Sequence, residues 1–172
     1  MGIAGFLTPG VAVPGRPKVR QLKDAHSVAS ELARLIRRAN DEVLISCGKI
    51  NGVLYGDPAL GRAIEDAVQR RVRFRVLVGP EPDRSSKAYA LIAKNGEILV
   101  SPVPPPLHFA VIDRRHLRIE DDADPNALPP NTLAEEVPEA ASALADFFDR
   151  LVDLLGAQPE STPPDALKTP SA

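Results

Sequence analysis

His108 stands immediately before an apolar run, Phe109-Ala110-Val111-Ile112, that ends on Asp113. Seven residues later comes a burst of carboxylates, Glu120-Asp121-Asp122. An imidazole beside a carboxylate can serve as a nucleophile or general base, or simply as a hydrogen-bonded structural group. The same nitrogen and oxygen atoms could ligate a divalent metal. Here His108 with Glu120 or Asp121 offers two or three ligands with no spacing signature, so neither a metal nor a cofactor is expected. Lys49 and Asn51, in a Gly-bounded stretch after another apolar run, are further polar candidates. The one cysteine, Cys47, closes the run Glu42 to Cys47 and reads as a buried structural thiol.

These groups need a frame. Phe109–Ile112 and Leu117–Ile119 are two β-rich runs around a polar break at 113–116, the pattern of a hairpin. A turn at Arg114-Arg115 sets 113 opposite 116, hence 109 opposite 120 and His108 opposite Asp121, with a bulge able to shift this by one. Pro102 and the run Pro104-Pro105-Pro106 cannot donate to a ladder and make a stiff lead into the hairpin. Upstream, Val28, Leu32, Leu35, Ile36 and Ala39 recur at helical spacing after Asp24 or Ser27 as a cap. Val43-Leu44-Ile45 is a strand, and Asp57-Pro58 opens a second helix on Leu60, Ala63, Ile64 and Ala67. Val72–Val78 is the next strand, with Phe74, Val76 and Val78 on one face and Arg73 and Arg75 on the other. A short helix over Ser85–Lys94, a strand over Glu97–Val100, and a last helix over Pro138–Leu155 complete the order. Helices alternating with strands before an antiparallel pair predict an α/β fold, a mixed sheet with helices on both faces.

Phe109-Ala110-Val111-Ile112-Asp113, a basic turn and Leu117-Arg118-Ile119 together resemble the core strand pair of the phospholipase D-like superfamily. Arg70-Arg71-Val72 before an aliphatic strand resembles that family's Arg-Gly-Val turn, with Arg71 where glycine is usual. The closing helix with Phe148-Asp149 is similar too. The resemblance covers roughly residues 25–155. It implies a phospholipase D-like fold and a site built from a His-x-Lys-x-x-x-x-Asp strand and a following Gly-Ser-x-Asn-like segment. This chain departs from that motif. In the register of His108, Ala110 takes the lysine's place. In the register of Asp113, Pro106 takes the histidine's, His108 the lysine's and Glu120-Asp121 the Gly-Ser's. A carboxylate ~4 Å from a phosphate charge costs about 4 kcal/mol at an effective dielectric of ~20. The resemblance therefore implies a catalytically degenerate domain acting as a binding, regulatory or assembly module. Its ligand-binding candidates are His108, Asp113, Glu120, Asp121, Lys49 and Asn51. The alternative is a one-motif homodimeric phosphodiesterase or nuclease with His108 as the nucleophile.

The chain has 172 residues and is 44% apolar, enough for one domain with a real core. We expect a disordered, Gly- and Pro-punctuated basic arm over 1–22, the domain over 23–156, and a disordered Pro-rich tail over 157–172. No run is long enough to span a membrane and the first residues lack the form of a signal peptide, so a cytoplasmic location is expected. The net charge of −2 conceals an asymmetry: residues 1–118 carry 19 Lys and Arg against 11 Asp and Glu, and residues 119–172 carry 2 against 12. A basic body could take an anionic ligand; nucleic acid is compatible with this but has no motif to support it. With aromatics at 4%, base stacking is not the means of binding. The hairpin would leave a sheet edge uncovered beside the site, which predicts a homodimer with His108 near the axis.

Overall fold

Three of the four helices begin where the sequence supplies a side-chain cap. Asp24 accepts the amide of Ser27 at the head of α1 (Ala25–Ile36), whose Val28, Ala29, Leu32, Ala33, Leu35 and Ile36 are buried. Asp57 caps α2 (Pro58–Gln69), with Pro58 in the first turn, where its missing N–H removes no helical bond. Ser86 caps α3 (Lys87–Asn95). The fourth helix, α4 (Pro138–Leu155), ends at Gly156, whose φ of 63° is the left-handed conformation that lets the Ala157 amide reach back to Val152 O. The computed structural model describes residues 16–50, 54–120 and 130–160.

Eight strands form one mixed sheet: β1 (Lys18–Leu22), β2 (Glu42–Ser46), β3 (Arg73–Val78), β4 (Glu97–Val100), β5 (Phe109–Ile112), β6 (His116–Glu120), β7 (Asn131–Glu135) and β8 (Gln158–Pro159). Their spatial order is β1-β7-β6-β5-β2-β3-β4-β8. The pairs β2–β3 and β3–β4 are parallel, and every other pair is antiparallel. Because side chains alternate along a strand, the sheet builds two cores. Val43, Ile45, Phe74, Val76, Ala110, Ile112 and Leu133 pack with α1, α2 and α3. Leu44, Leu77, Leu99, Phe109, Val111 and Leu117 pack with Ala141, Ala145, Phe148 and Leu151 of α4. Phe109 meets Phe148 edge-on with ring centroids 6.3 Å apart. Truncating such a fully buried ring to alanine costs about 3–5 kcal/mol.

The mixed α/β architecture agrees with the sequence reading, and four details correct it. Lys18–Leu22, read as part of an unstructured arm, is an edge strand on β7. Residues 157–160, read as tail, are anchored: Ala157 is buried, Gln158 and Pro159 pair with β4, and Glu160 accepts from Arg84 Nε and the Tyr89 hydroxyl. The hairpin register is shifted by one, with Ile112 opposite His116 and Phe109 opposite Ile119. Asp113 and Arg114 both take positive φ, 52° and 49°, and this turn absorbs the extra residue. His116, read as a turn residue, is buried, its Nδ1 accepting the Glu136 amide. In addition, β7 lies beside β6, and β1 beyond it, so the hairpin is not a sheet edge. The uncovered edge that argued for a second copy is covered by the chain itself.

Three of the four arginines around β3 are held by partners within the fold. Arg70 caps α1 by donating to Ile36 O and Ala39 O. Arg73 pairs with Glu42, and Arg75 pairs with Glu97 and Asp149 while lying over the Phe148 ring. Arg71 takes a φ of 67°, the left-handed turn conformation that glycine adopts without cost.

Candidate functional site

The end of the sheet where His108 enters is assembled by three loops. Ser46 Oγ donates to Leu107 O at 2.8 Å, fixing the last residue before His108. Ser101 bonds Val103 O and receives the Val103 amide, which ties down the start of the proline run. Gly79 donates to Gly48 O at 3.0 Å, and a Cβ at Gly79 would lie 3.1 Å from that oxygen, so a side chain there would crowd the place where the loops after β2 and β3 meet.

His108 sits between two of these elements with both ring nitrogens engaged. Nε2 is 3.1 Å from the Gly48 amide and Nδ1 is 3.3 Å from Glu120 Oε1. An amide can only donate, so Nε2 carries the lone pair and Nδ1 the proton, and Nδ1–H donates a hydrogen bond to Glu120 Oε1. The ring is 35% exposed and the carboxylate 26%. The second Glu120 oxygen accepts from Arg118 Nη2 at 2.7 Å, and Arg118, only 3% exposed, also donates from Nε to Asn131 Oδ1 at 2.5 Å. The hydrogen bond from His108, opposed by burial and aided by the field of Arg118, holds the Glu120 carboxyl below its ordinary range. Deeper in, burial pushes the Cys47 thiol up to about 12 and raises Tyr55 as well. The Tyr55 hydroxyl is buried beside the Cys47 thiol, in the field of Arg118 and Glu120. Tyr55 also borders a cleft of about 500 Å³ between the first turns of α2 and α3, lined by Arg62, Asp83, Ser85 and Lys87 among others.

The residues proposed from sequence divide accordingly. His108 and Glu120 come together, as a directly opposed pair: the Glu120 amide donates to His108 O at 2.9 Å. Lys49 is exposed in the loop after β2, where its charge helps lower Asp83. Asp113 is at the other end of β5, its carboxylate accepting the amides of Asn40, Asp41 and Glu42 at 2.8, 2.9 and 3.0 Å. Asn51 and Asp121 lie outside the described residues. Arg118 and Asn131 were missed. The signal for Arg118 was present: it sits in an apolar strand directly opposite Ala110, so a cation absent from one strand stands on its neighbour. Among the described residues no group of three or more His, Cys, Asp or Glu is placed to hold a metal ion. No helix among them is long and apolar enough to cross a membrane.

No sequence-family model matches the chain, and no curated protein matches it by sequence. Solved structures do resemble it. TrmBL2, an archaeal chromatin protein whose structure shows a novel mode of DNA binding, superposes with a TM-score of 0.64 at 16% identity, over 85% of this chain and 55% of that one. This chain thus spans about half the length of TrmBL2. Nuc from Salmonella typhimurium, a phospholipase D family member, superposes at 0.63 and 11% identity over 86% of this chain and all of its own. NucT from Helicobacter pylori gives 0.58 and 13% identity over 80% and 97%. The fold is phospholipase D-like.

Proposed function

We propose that the chain is a phospholipase D-like module that binds without cleaving, its catalytic set degenerate. The observation that carries this reading is the state of His108. Attack on phosphorus needs the Nε2 lone pair aimed at substrate, and in this chain that lone pair accepts the Gly48 amide at 3.1 Å. The cation that would stabilise the phosphorane is consumed as well, because Arg118 is closed on Glu120. The module's ligand is an anion drawn to the basic body. Duplex DNA is the first partner to try, since TrmBL2, of similar fold, is a DNA-binding chromatin protein.

One observation favours the second reading, an active homodimeric phosphodiesterase: Arg118, opposite Ala110, puts a guanidinium on the face where the family's lysine would project. Assay of the purified protein on an aryl phosphodiester and on single-stranded DNA decides between them. We expect no turnover above background. Turnover that His108→Ala abolishes would establish the enzyme and end the degenerate reading. Fluorescence anisotropy with a labelled duplex at two salt concentrations tests the partner, with binding that weakens as salt rises as the expected result.

A further inference from the structure

Two side-chain donors from neighbouring strands aim at one carboxylate where the sheet meets solvent. Just before β5, His108 donates Nδ1–H to Glu120 Oε1 at 3.3 Å, and from β6 Arg118 donates from Nη2 to Glu120 Oε2 at 2.7 Å. Arg118 is 3% exposed, Glu120 26% and His108 35%, so this arrangement meets solvent through the acid and the imidazole and keeps its cation inside. The guanidinium is also held by Asn131, whose Oδ1 accepts from Nε. Its charge is balanced by Glu120. The Gly48 amide on Nε2 makes His108 neutral, and burial pushes Cys47 up to about 12 and raises Tyr55 with it, so both keep their protons.

A guanidinium this buried needs an anion against it, and carboxylate and phosphate oxygens satisfy the same fork of N–H donors. Glu120 is placed as a ligand would be: its oxygens take both convergent donors, and it is the more exposed partner of a buried cation. Only its side chain is involved. Its amide is fixed on His108 O at 2.9 Å and it pairs with Asn131 of β7, so the acid can be altered without touching the ladder. Resting on the anion-binding reading above, we propose that Glu120 is a competitor built into the chain, its carboxylate filling the place between Arg118 Nη2 and His108 Nδ1 that an incoming phosphate group takes when Glu120 gives way. While the acid is in place it repels a second anion, and loss of that one carboxylate opens the site. The chemistry recognised is a phosphate oxyanion, free or carried on a phosphodiester backbone.

The test titrates inorganic phosphate into the full chain as wild type, Glu120→Gln and Glu120→Ala, following the Gly48 amide by NMR, with circular dichroism as the check on folding. Phosphate affinity at this signal is expected to rise at least about tenfold in both variants, because a like charge has been removed from contact distance. The gain is expected to vanish when Arg118→Met is added to Glu120→Gln. A labelled DNA duplex separates the two sources of phosphate. Its affinity for Glu120→Gln rises in step with that for inorganic phosphate where the backbone enters the site, and equals the wild-type value where the site takes free phosphate; either result sustains the competitor. Unchanged phosphate affinity in folded variants would overturn the proposal. So would a gain that survives Arg118→Met, or failure of both variants to fold, which would make the acid an obligate counter-ion of the fold. A gain in phosphate affinity with no duplex binding by any variant would remove the DNA reading and leave this one standing.

Discussion

The two ends of β5 hold two carboxylates in opposite ways. At one end Asp113 is saturated by three backbone amides of residues 40–42. At the other Glu120 is shared between two side chains, His108 and Arg118, and keeps contact with solvent. Backbone donors cannot rotate away, so the first arrangement fixes the hairpin on β2. The second rests on side-chain donors, and it is the one that the proposed anion binding would use. The contrast also explains why Asp113, attractive in the sequence, belongs to the scaffold.

Breaking the rigid end has the larger effect. Asp113→Ala removes three charge-assisted bonds and is expected to cost about 3 kcal/mol in urea denaturation, with Asp113→Asn recovering part of it. A loss below ~1 kcal/mol would mean that water replaces the carboxylate freely. At the other end, Arg118→Met leaves Glu120 without its cation in a half-buried place and is expected to cost about 2 kcal/mol, most of it regained in the double variant with Glu120→Gln. No recovery in the double variant would show that the guanidinium acts through packing instead.

Acid separates groups that the two variants cannot. Burial lowers the pKa of His116, which faces Glu135, Glu136, Arg38 and Arg115. The unfolded chain therefore takes up its proton first, and stability present above the ordinary value of 6.5 is lost as pH falls below it. Glu135, lowered chiefly by its hydrogen bond to Arg34, and Glu120, lowered chiefly by that to His108, contribute stability that is lost as pH falls below 4.5. Denaturation midpoints are expected to fall in two stages, with His116→Gln removing only the first. The smallest effect is a gain: Arg71→Gly relieves a left-handed non-glycine residue and should stabilise by about 0.5–1 kcal/mol.

Much of the frame was legible because it rests on local signals. The caps at Asp24 and Asp57, the apolar stripes of α1, α2 and α4, and the alternation in β3 each follow from a few neighbouring residues. What escaped depends on distant pairing. Lys18-Val19-Arg20-Gln21-Leu22 has no apolar period to mark a strand and becomes one only against Leu133 and its neighbours, more than a hundred residues on. Arg20, Arg34 and Arg38 look like solvated charge in the sequence, yet they surround buried Glu135. His108 with Glu120 was within one residue of the expected pair, the offset coming from positive φ at Asp113 and Arg114, residue types that do not announce it. Arg118 stood out as a cation in an apolar run, but only the shifted register places it opposite Ala110.

The sheet order places β1 at one margin and β8 at the other. Tension applied through the two ends of the described chain therefore enters the fold from opposite margins. At the β8 margin it meets a ladder of two residues, one of them a proline, and the clasp of Arg84 and Tyr89 on Glu160. At the β1 margin it meets five paired residues and the guanidinium of Arg20 locked on Glu135. The carboxyl-terminal margin is therefore the expected mechanical fuse of the domain: it should peel before the β1 margin, taking Ala157 out of the second core while the first core stays closed.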